Sequence, residues 1–450
     1  MQAQALILAA GAGTRMKSAK PKVLHELLGK PMVRWVVDAA HQAGCSAVHA
    51  VIGSGREQVE PVLADCTISY QLELLGTGHT VMCAADKLAG FDGTLVVLCG
   101  DTPLIRSSTI SSLIAFHEEE GAACTVMTMR PANPHGYGRI VRGEDGGVTA
   151  IVEQRDCTPD QAAITECNSG VYCFSAPALL ERLGRLTTNN AQGEYYLTDI
   201  LGLMVADGLK VAGHMVADGS ECLGVNSRAQ LADATAVMQR RINAHWMSEG
   251  VTMLDPSQVW IGPDVRLGRD CEILPQTMLW GSTEVGEGCM LGPNTRLTDC
   301  SVGPGCVLDE TVAVRAVLDE GVSCGPRAYL REGTHMGPHS KAGTCVEIKK
   351  SYIGQGSKVP HLSYIGDCEM GPGVNIGAGS ITCNYDGAAK HKTTIGADAF
   401  IGSDTMMVAP VSIGEGALVA AGSVITQDVP SGALALGRAR QVNKEGRGRK

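Results

Sequence analysis

A six-residue beat in the second half of the chain limits what it can fold into more than any other feature. From Ile261 an aliphatic residue returns at Leu267, Ile273, Leu279, Val285, Leu291 and Leu297, often followed by Gly and a polar turn. The beat resumes at Ile395, Ile401, Met407, Ile413, Val419 and Ile425. An amphipathic helix repeats apolar residues every three to four positions and a half-buried strand every two, so neither fits. A parallel β-helix of hexapeptide repeats does: each hexad is a short strand plus a turn, three close a triangular coil, and the aliphatics stack inside. With neighbouring coils about 4.8 Å apart, the stretch from Val251 to Ile425 holds roughly ten coils in a rod on the order of 45 Å long.

Two interruptions stand out. The segment CNYDGAAKHKTT before Ile395 has no aliphatic at the expected place, which predicts a loop over 383–394 thrown out from one coil, and such loops carry function on a regular scaffold. From Arg327 to His361 the period blurs and cations crowd in: Arg331, His335, His339, Lys341, Lys349, Lys350 and Lys358. They form either a solvated face or a site for an anionic ligand.

The 450 residues are enough for two or more domains. A net charge of −10 argues against a general nucleic-acid binder, and 4 % aromatics leave little for base stacking. There is no run of eighteen apolar residues, and no basic segment precedes the apolar run of MQAQALILAAGAG, so no membrane partner is expected and the location is read as cytoplasmic. Seventeen Cys occur without a CxxC pair, often in apolar contexts, which predicts buried free thiols rather than zinc sites or disulfides.

The first half alternates apolar runs (ALILA at 5–9, AVHAVIG at 47–53, TLVVLCGD at 94–101, ACTVMTM at 123–129) with amphipathic stretches. This predicts an α/β, Rossmann-like domain with a mostly parallel sheet and ligands at the carboxyl ends of its strands. The first run ends in AGAGTRMKSAKPKVLHEL. Met16 stands where a dinucleotide fingerprint wants Gly, and the Gly-Lys-Ser/Thr of a P-loop is missing. Backbone N–H groups beside Arg15 and Lys22 still suit a triphosphate. Asp101, just after a strand, suits Mg²⁺, a hard cation that takes one or two protein oxygens plus phosphates; it is otherwise a turn-capping Asp. GYGRI at 136–140, IVE at 151–153, CNSG at 167–170 and NNAQGEYYLTD at 189–199 could line a sugar pocket. Leu231, Ala234, Met238, Ile242 and Trp246 recur at helical spacing, with Asn226 or Ser227 as cap and Gly250 as stop, predicting one long linker helix. The chain closes on the basic stretch GRARQVNKEGRGRK.

LAAGAGTRM with PKVLH, LGTGH at 75–79, GDTPL at 100–104, NNAQGEYYLTD, HLSYIGD at 361–367, NIGAGSITCNYDG at 375–387 and IGSDT at 401–405 follow one another along the chain. Together they closely resemble the bacterial bifunctional UDP-N-acetylglucosamine pyrophosphorylase/glucosamine-1-phosphate N-acetyltransferase family, over nearly the whole length. The resemblance implies domains at 1–227 (uridylyltransferase), 228–250 (linker helix), 251–437 (left-handed β-helix acetyltransferase) and 438–450 (basic tail). It implies a homotrimer, UTP and acetyl-CoA as co-substrates with Mg²⁺, sugar phosphates as substrates, and a product that feeds peptidoglycan and lipopolysaccharide synthesis. Leu8, Ala9, Ala10 and Gly11 would embrace the nucleotide, Gln71, Gly76 and Thr77 would read uracil, and Arg15 and Lys22 would hold phosphates. Asp101 and Asn226 would bind Mg²⁺, with Gly138, Glu153 and Asn168 on the sugar. His361 would be the general base of acetyl transfer. Arg331, Lys349, Tyr364 and Asn375 would hold the sugar phosphate, and Ala378, Asn384, Tyr385, Ser403, Ala421 and Arg438 acetyl-CoA.

Some positions depart from the family pattern. Cys99 replaces a common Tyr in the nucleotide site, Glu332 follows Arg331 where Pro is usual, and Thr344-Cys345 replaces Asn-Phe. Two rival readings are a single-activity nucleotidyltransferase with an oligomerising β-helix and a non-enzymatic scaffold. The first would lack the His361 and Asn384-Tyr385 constellation, and the second would have no use for Lys22 and Asp101. An ejected loop over 383–394 is also expected to reach a neighbouring chain rather than fold back over its own coil, favouring a closed trimer.

Overall fold

The computed structural model describes residues 2–447; the last three positions of the basic tail, 448–450, lie outside the described residues. The chain divides into two compact units, Met1–Met238 and Gln239–Lys450, and the helix Arg228–Ser248 begins in one and ends in the other.

In the first unit the four apolar runs become the parallel strands Ala3–Ala9, Val48–Ile52 and Thr94–Cys99 and the strand Cys124–Met129. The strand order is Val211–Met215, Cys124–Met129, Cys167–Ser175, Thr94–Cys99, Ala3–Ala9, Val48–Ile52, Thr67–Tyr70. Only Cys167–Ser175 runs antiparallel to its neighbours along that path. Successive side chains of a strand point to opposite faces. Ile7 and Val96 therefore join the core on one side with Val36 and Ile110, while Leu6 and Val97 join the core on the other with Leu179 and Ile200. Burial on both faces explains why these runs read as continuously apolar. Ala3–Ala9 and Thr94–Cys99 are parallel and in register, so the loops following Ala9 and Cys99 emerge side by side.

The second unit is a parallel β-helix, left-handed as the resemblance implies. Its three faces carry 11, 10 and 9 strands. The first runs from Thr252–Met253 to Leu434–Ala435, the second from Trp260–Ile261 to Val424–Ile425, the third from Arg266–Leu267 to Val411–Ile413. The repeated aliphatics are stacked within it, Ile273, Leu279, Leu291 and Leu297 fully enclosed. Truncating one of these to Ala should cost about 2–5 kcal/mol. The beat does not lapse between the two clean runs. It continues through Val302, Leu308, Ala313, Leu318, Cys324, Leu330, Met336, Ala342, Ile348 and Ile353, with several spacings of five and with Ala, Cys or Met as the buried residue. A coil can drop a residue at a corner because each strand needs only its register with the coils above and below: Met290 pairs with Val307, and Val307 with Ser323.

The helix starts as read. Ser227 Oγ accepts from Gln230 N at 3.2 Å while the Gln230 side chain accepts from Asn226 N at 2.8 Å. Gly250, at φ +94°, follows its end. Its second half belongs to the β-helix: Gln239 and Asn243 both donate to the Val259 carbonyl, at 2.7 and 2.9 Å, and Ile242 and Trp246 pack on the stacked aliphatics. All seventeen Cys are free, and only Cys345 is exposed. Among the described residues no helix is long and apolar enough to cross a membrane.

Candidate functional sites

The first unit gathers the expected nucleotide residues around one cleft of about 270 Å³ at the strand ends, bordered by Leu8 to Gly11, Lys22, Gln71, Gly76, Thr77, Cys99 and Asp101. A side chain on Gly11 would meet nothing within 4 Å, so this stretch of loop leaves its backbone accessible to a ligand. Gly13 is tighter. It sits at φ +61°, and a Cβ there would stand 2.5 Å from Lys22 Cβ, so only Gly lets the lysine stem rise beside the loop. Arg15 lies exposed in the short turn Thr14–Met16 that follows.

Lys22 Nζ donates to Asp101 Oδ2 at 2.5 Å and to Asn226 Oδ1 at 3.1 Å. A carboxylate and an amide oxygen from separate loops thus converge on one cation, a donor set that suits Mg²⁺. Among the described residues no three His, Cys, Asp or Glu side chains cluster as a metal cage. Asn226 Nδ2 donates to the Gly224 carbonyl at 3.4 Å, and nearby Arg228 donates to the Met16 carbonyl (3.4 Å) and to His25 Nδ1 (3.2 Å). Burial, then the Arg228 charge, holds the His25 pKa down, consistent with a neutral ring accepting that bond.

Gln71 is buried and fixed. Its Nε2 donates to the Gly76 carbonyl at 3.2 Å, and its Oε1 accepts from Thr80 at 2.9 Å. The NNAQGEYYLTD stretch supports this edge: Gly78 N donates to the Tyr195 carbonyl at 2.7 Å and Leu197 N to Thr77 Oγ1 at 3.1 Å. Gly138, Glu153 and Asn168 also meet. A Cβ on Gly138 would touch Ile151 at 2.9 Å, with Glu153 Oε1 and Asn168 Cβ each 3.5 Å away. Burial raises the Glu153 pKa, against a 3.2 Å hydrogen bond from Thr198. Where the family commonly has a Tyr, the Cys99 thiol faces the Gly170 carbonyl at 3.5 Å, its pKa pushed up to about 12 by burial and then by Asp101.

In the second unit the residues divide between two edges of the prism. Following the registers from Lys358–Asn375 through Ile376–Ile401 to Ile401–Val419, His361, Ala378, Ser403 and Ala421 stand one coil apart at the same corner. Arg438 extends the column by donating to the Ala421 carbonyl at 2.7 Å. His361 is exposed, and Leu362 after it sits in the left-handed region, at φ +48°, where Glu310, Arg327 and Cys345 also lie at the same corner of the preceding coils, so that conformation belongs to the corner. The other edge holds Arg331, Lys349 and Asn384. Lys349 is buried and 3.9 Å from Asp367, which also accepts from Asn384 Nδ2. Tyr364 lies across the face between the edges, its hydroxyl 3.5 Å from Asn384 Nδ2 and where a Cβ on Gly366 would collide. Asn375 lies on the neighbouring face, paired with Lys358 and Phe400.

The blurred cationic stretch is mostly ion-paired. Arg331 meets Glu347 at 2.8 Å and His335 meets Asp319 at 3.0 Å. Glu332 pairs with Arg315 at 2.7 Å, which turns its added charge away from Arg331. The ejected loop spans 384–392, between the strands Ile381–Cys383 and Thr393–Ile395. Its end is tied to the preceding coil of the same chain, where Lys392 pairs with Glu369. Its tip is open to solvent, with Tyr385 60 % exposed and its hydroxyl donating to the Gly387 carbonyl at 2.7 Å. Sequence reasoning missed Lys390. Lys349 crowds it and lowers its pKa, while Asp367 offsets part of that repulsion. The signal was available as a Lys inside an otherwise uncharged-to-mixed ejected loop.

Residues 5–198 match the MobA-like NTP transferase domain and residues 392–427 the hexapeptide repeat of succinyl-transferase. The fold and its two sites thus define a nucleotidyltransferase joined to a hexapeptide-repeat domain. The bifunctional protein GlmU of Pelobacter propionicus is 47 % identical over 446 residues, covering 98 % of this chain and 97 % of that protein. Those of Halalkalibacterium halodurans (49 % over 443 residues, 98 % and 97 %) and Heliobacterium modesticaldum (50 % over 442 residues, 98 % and 96 %) are as similar. The chain belongs to the bifunctional GlmU family.

Proposed function

We propose that the two activities of this bifunctional enzyme divide between the units. Residues 251–437 acetylate glucosamine-1-phosphate from acetyl-CoA. Residues 1–227 transfer uridylyl from UTP to the resulting N-acetylglucosamine-1-phosphate, releasing pyrophosphate. The helix 228–250 links them, 438–450 is a basic tail, and the enzyme works in the cytoplasm.

The observation that carries the uridylyl reading is the convergence of Lys22, Asp101 and Asn226 at the mouth of the cleft that also holds Gln71. Loop amides from Ala10 to Gly13 bind the triphosphate, Gln71 and the Gly76–Thr77 edge orient the base, and Gly138, Glu153 and Asn168 orient the sugar so that its phosphate faces the α-phosphorus in line. Lys22 and Arg15 balance charge on the phosphates. Asp101 and Asn226 would hold Mg²⁺, which supplies further charge neutralisation when bound. Positioning and electrostatics are all that such a transfer demands.

For acetyl transfer the amine must shed a proton as it attacks the thioester. An imidazole suits that task near neutral pH, and His361 heads the column on which Ala378, Ser403, Ala421 and Arg438 would lay out the acyl donor. Arg331, Lys349 and Lys390 offer charge for the sugar phosphate at the other edge of the same face. This division supports a homotrimer in which an edge from one chain meets an edge from the next. The test is a mass-spectrometric assay of the purified chain with glucosamine-1-phosphate, acetyl-CoA, UTP and Mg²⁺. UDP-N-acetylglucosamine should form with all four and vanish when any one is omitted; formation without acetyl-CoA would remove the acetyltransferase reading.

A further inference from the structure

We infer that Lys22 and the divalent cation alternate in one oxygen cradle, so that loading the cradle turns the lysine toward the nucleotide. This rests on the reading of Asp101 and Asn226 as the metal ligands. Lys22 Nζ lies 2.5 Å from Asp101 Oδ2 and 3.1 Å from Asn226 Oδ1, so the ammonium engages both oxygens at once. The side chains of Lys22 and Asp101 are only 14 % and 19 % exposed, which weakens screening and makes simultaneous occupation by two cations unfavourable. The lysine has somewhere else to go. Its stem borders the same cleft as Ala10 and Gly11, and the missing side chain of Gly13 leaves it room. Rotation of its outer torsions alone carries the ammonium toward the loop amides, where a phosphate would lie. There it exchanges two protein oxygens for phosphate oxygens, and no charge is left unpaired.

Without nucleotide the lysine is therefore an internal competitor. The apparent metal affinity is reduced by the fraction of molecules in which the cradle is free. The sign of this effect is distinctive, because removing a phosphate-binding cation should tighten metal binding rather than leave it unchanged. The experiment is Mn²⁺ titration of the full-length protein without nucleotide, followed by the electron paramagnetic resonance signal of the free ion, for the wild type, Lys22→Met, Asp101→Asn and the double variant. Lys22→Met should bind Mn²⁺ roughly tenfold more tightly than the wild type, as for a cradle otherwise nine-tenths closed, and the double variant should bind none at that site. Equal or weaker binding by Lys22→Met at an unchanged melting temperature overturns the alternation. A double variant that binds as tightly as Lys22→Met overturns instead the assignment of the ligands. Lys22→Gln is measured in parallel, and if the Met variant does not fold the same tightening is required of it.

Discussion

The first unit draws its residues from distant segments of one chain into a single cleft, whereas the second spreads its residues along two edges of a prism. In an α/β sheet, parallel strands in register deliver their following loops to one rim. Residues as far apart in sequence as Lys22, Asp101 and Asn226 then come within hydrogen-bonding distance. In a β-helix each corner sees only the corners directly above and below it. A column such as His361, Ala378, Ser403 and Ala421 is therefore easily built, but nothing within one chain folds it against the edge that carries Arg331 and Lys349. The first architecture gathers its residues by itself, whereas on the proposed reading the second would leave half-sites for another copy.

The largest effects should come from breaking each side separately. Asp101→Asn should lower uridylyl transfer by roughly a thousandfold or more and spare acetyl transfer, and His361→Ala should do the reverse. One substitution that abolished both in a folded protein would refute the division. Co-refolding should separate the two designs further. His361→Ala mixed with Lys349→Ala, one lesion on each edge, should regain acetyl transfer, since random assortment leaves roughly three quarters of trimers mixed. Asp101→Asn mixed with Lys22→Ala should regain no uridylyl transfer. A protein that sediments as a monomer, or mixed trimers that stay inactive, would sink the shared-site half of the comparison.

Smaller effects sharpen the account of the first cleft. Gly13→Ala, forcing a Cβ to 2.5 Å from Lys22 Cβ at a left-handed φ, should cut uridylyl transfer about tenfold with a modest loss of stability; unchanged kinetics would show that the lysine stem is not constrained there. Glu153→Gln is expected to act in opposite senses on stability and function. Burial raises the Glu153 pKa, so between the unfolded and folded values the native state binds the extra proton, and stability falls as pH rises through that window. The Gln variant should therefore melt roughly 2 °C higher at pH 7 and lose that advantage below the unfolded value, while KM for the sugar phosphate rises. A lower melting temperature at pH 7 would mean that the carboxylate is favourably bound.

The fold was legible wherever one physical constraint dominated. Strands buried on both faces, such as Val48–Ile52, appear as unbroken apolar runs, and a strict six is hard to mistake. The middle of the β-helix was obscure because Ala313, Cys324, Met336 and Ala342 fill the interior in place of Leu or Ile and several steps shorten to five. The register with neighbouring coils restores what the local pattern hides. Handedness has no signature in the period, and came from the resemblance. Within the sites, Lys22 and Asp101 could be read from their place after strands, but the Lys22–Asn226 contact spans too much chain for any local pattern, and Lys390 was overlooked because its partner Lys349 lies on another coil.

The shortened coils have a consequence for how such a protein can change. Because each rung is held only by the rungs beside it, adding or deleting a residue at a corner disturbs one turn and leaves the stack on either side in step. The step from Asn375 to Phe400 on the first face, which carries the ejected loop, is accommodated as readily as the step from Val307 to Ser323. A lineage can thus lengthen or shorten a loop at one rung while every other rung stays where it was. The α/β sheet has no such freedom, since an insertion next to Gly13 would displace Lys22 at once.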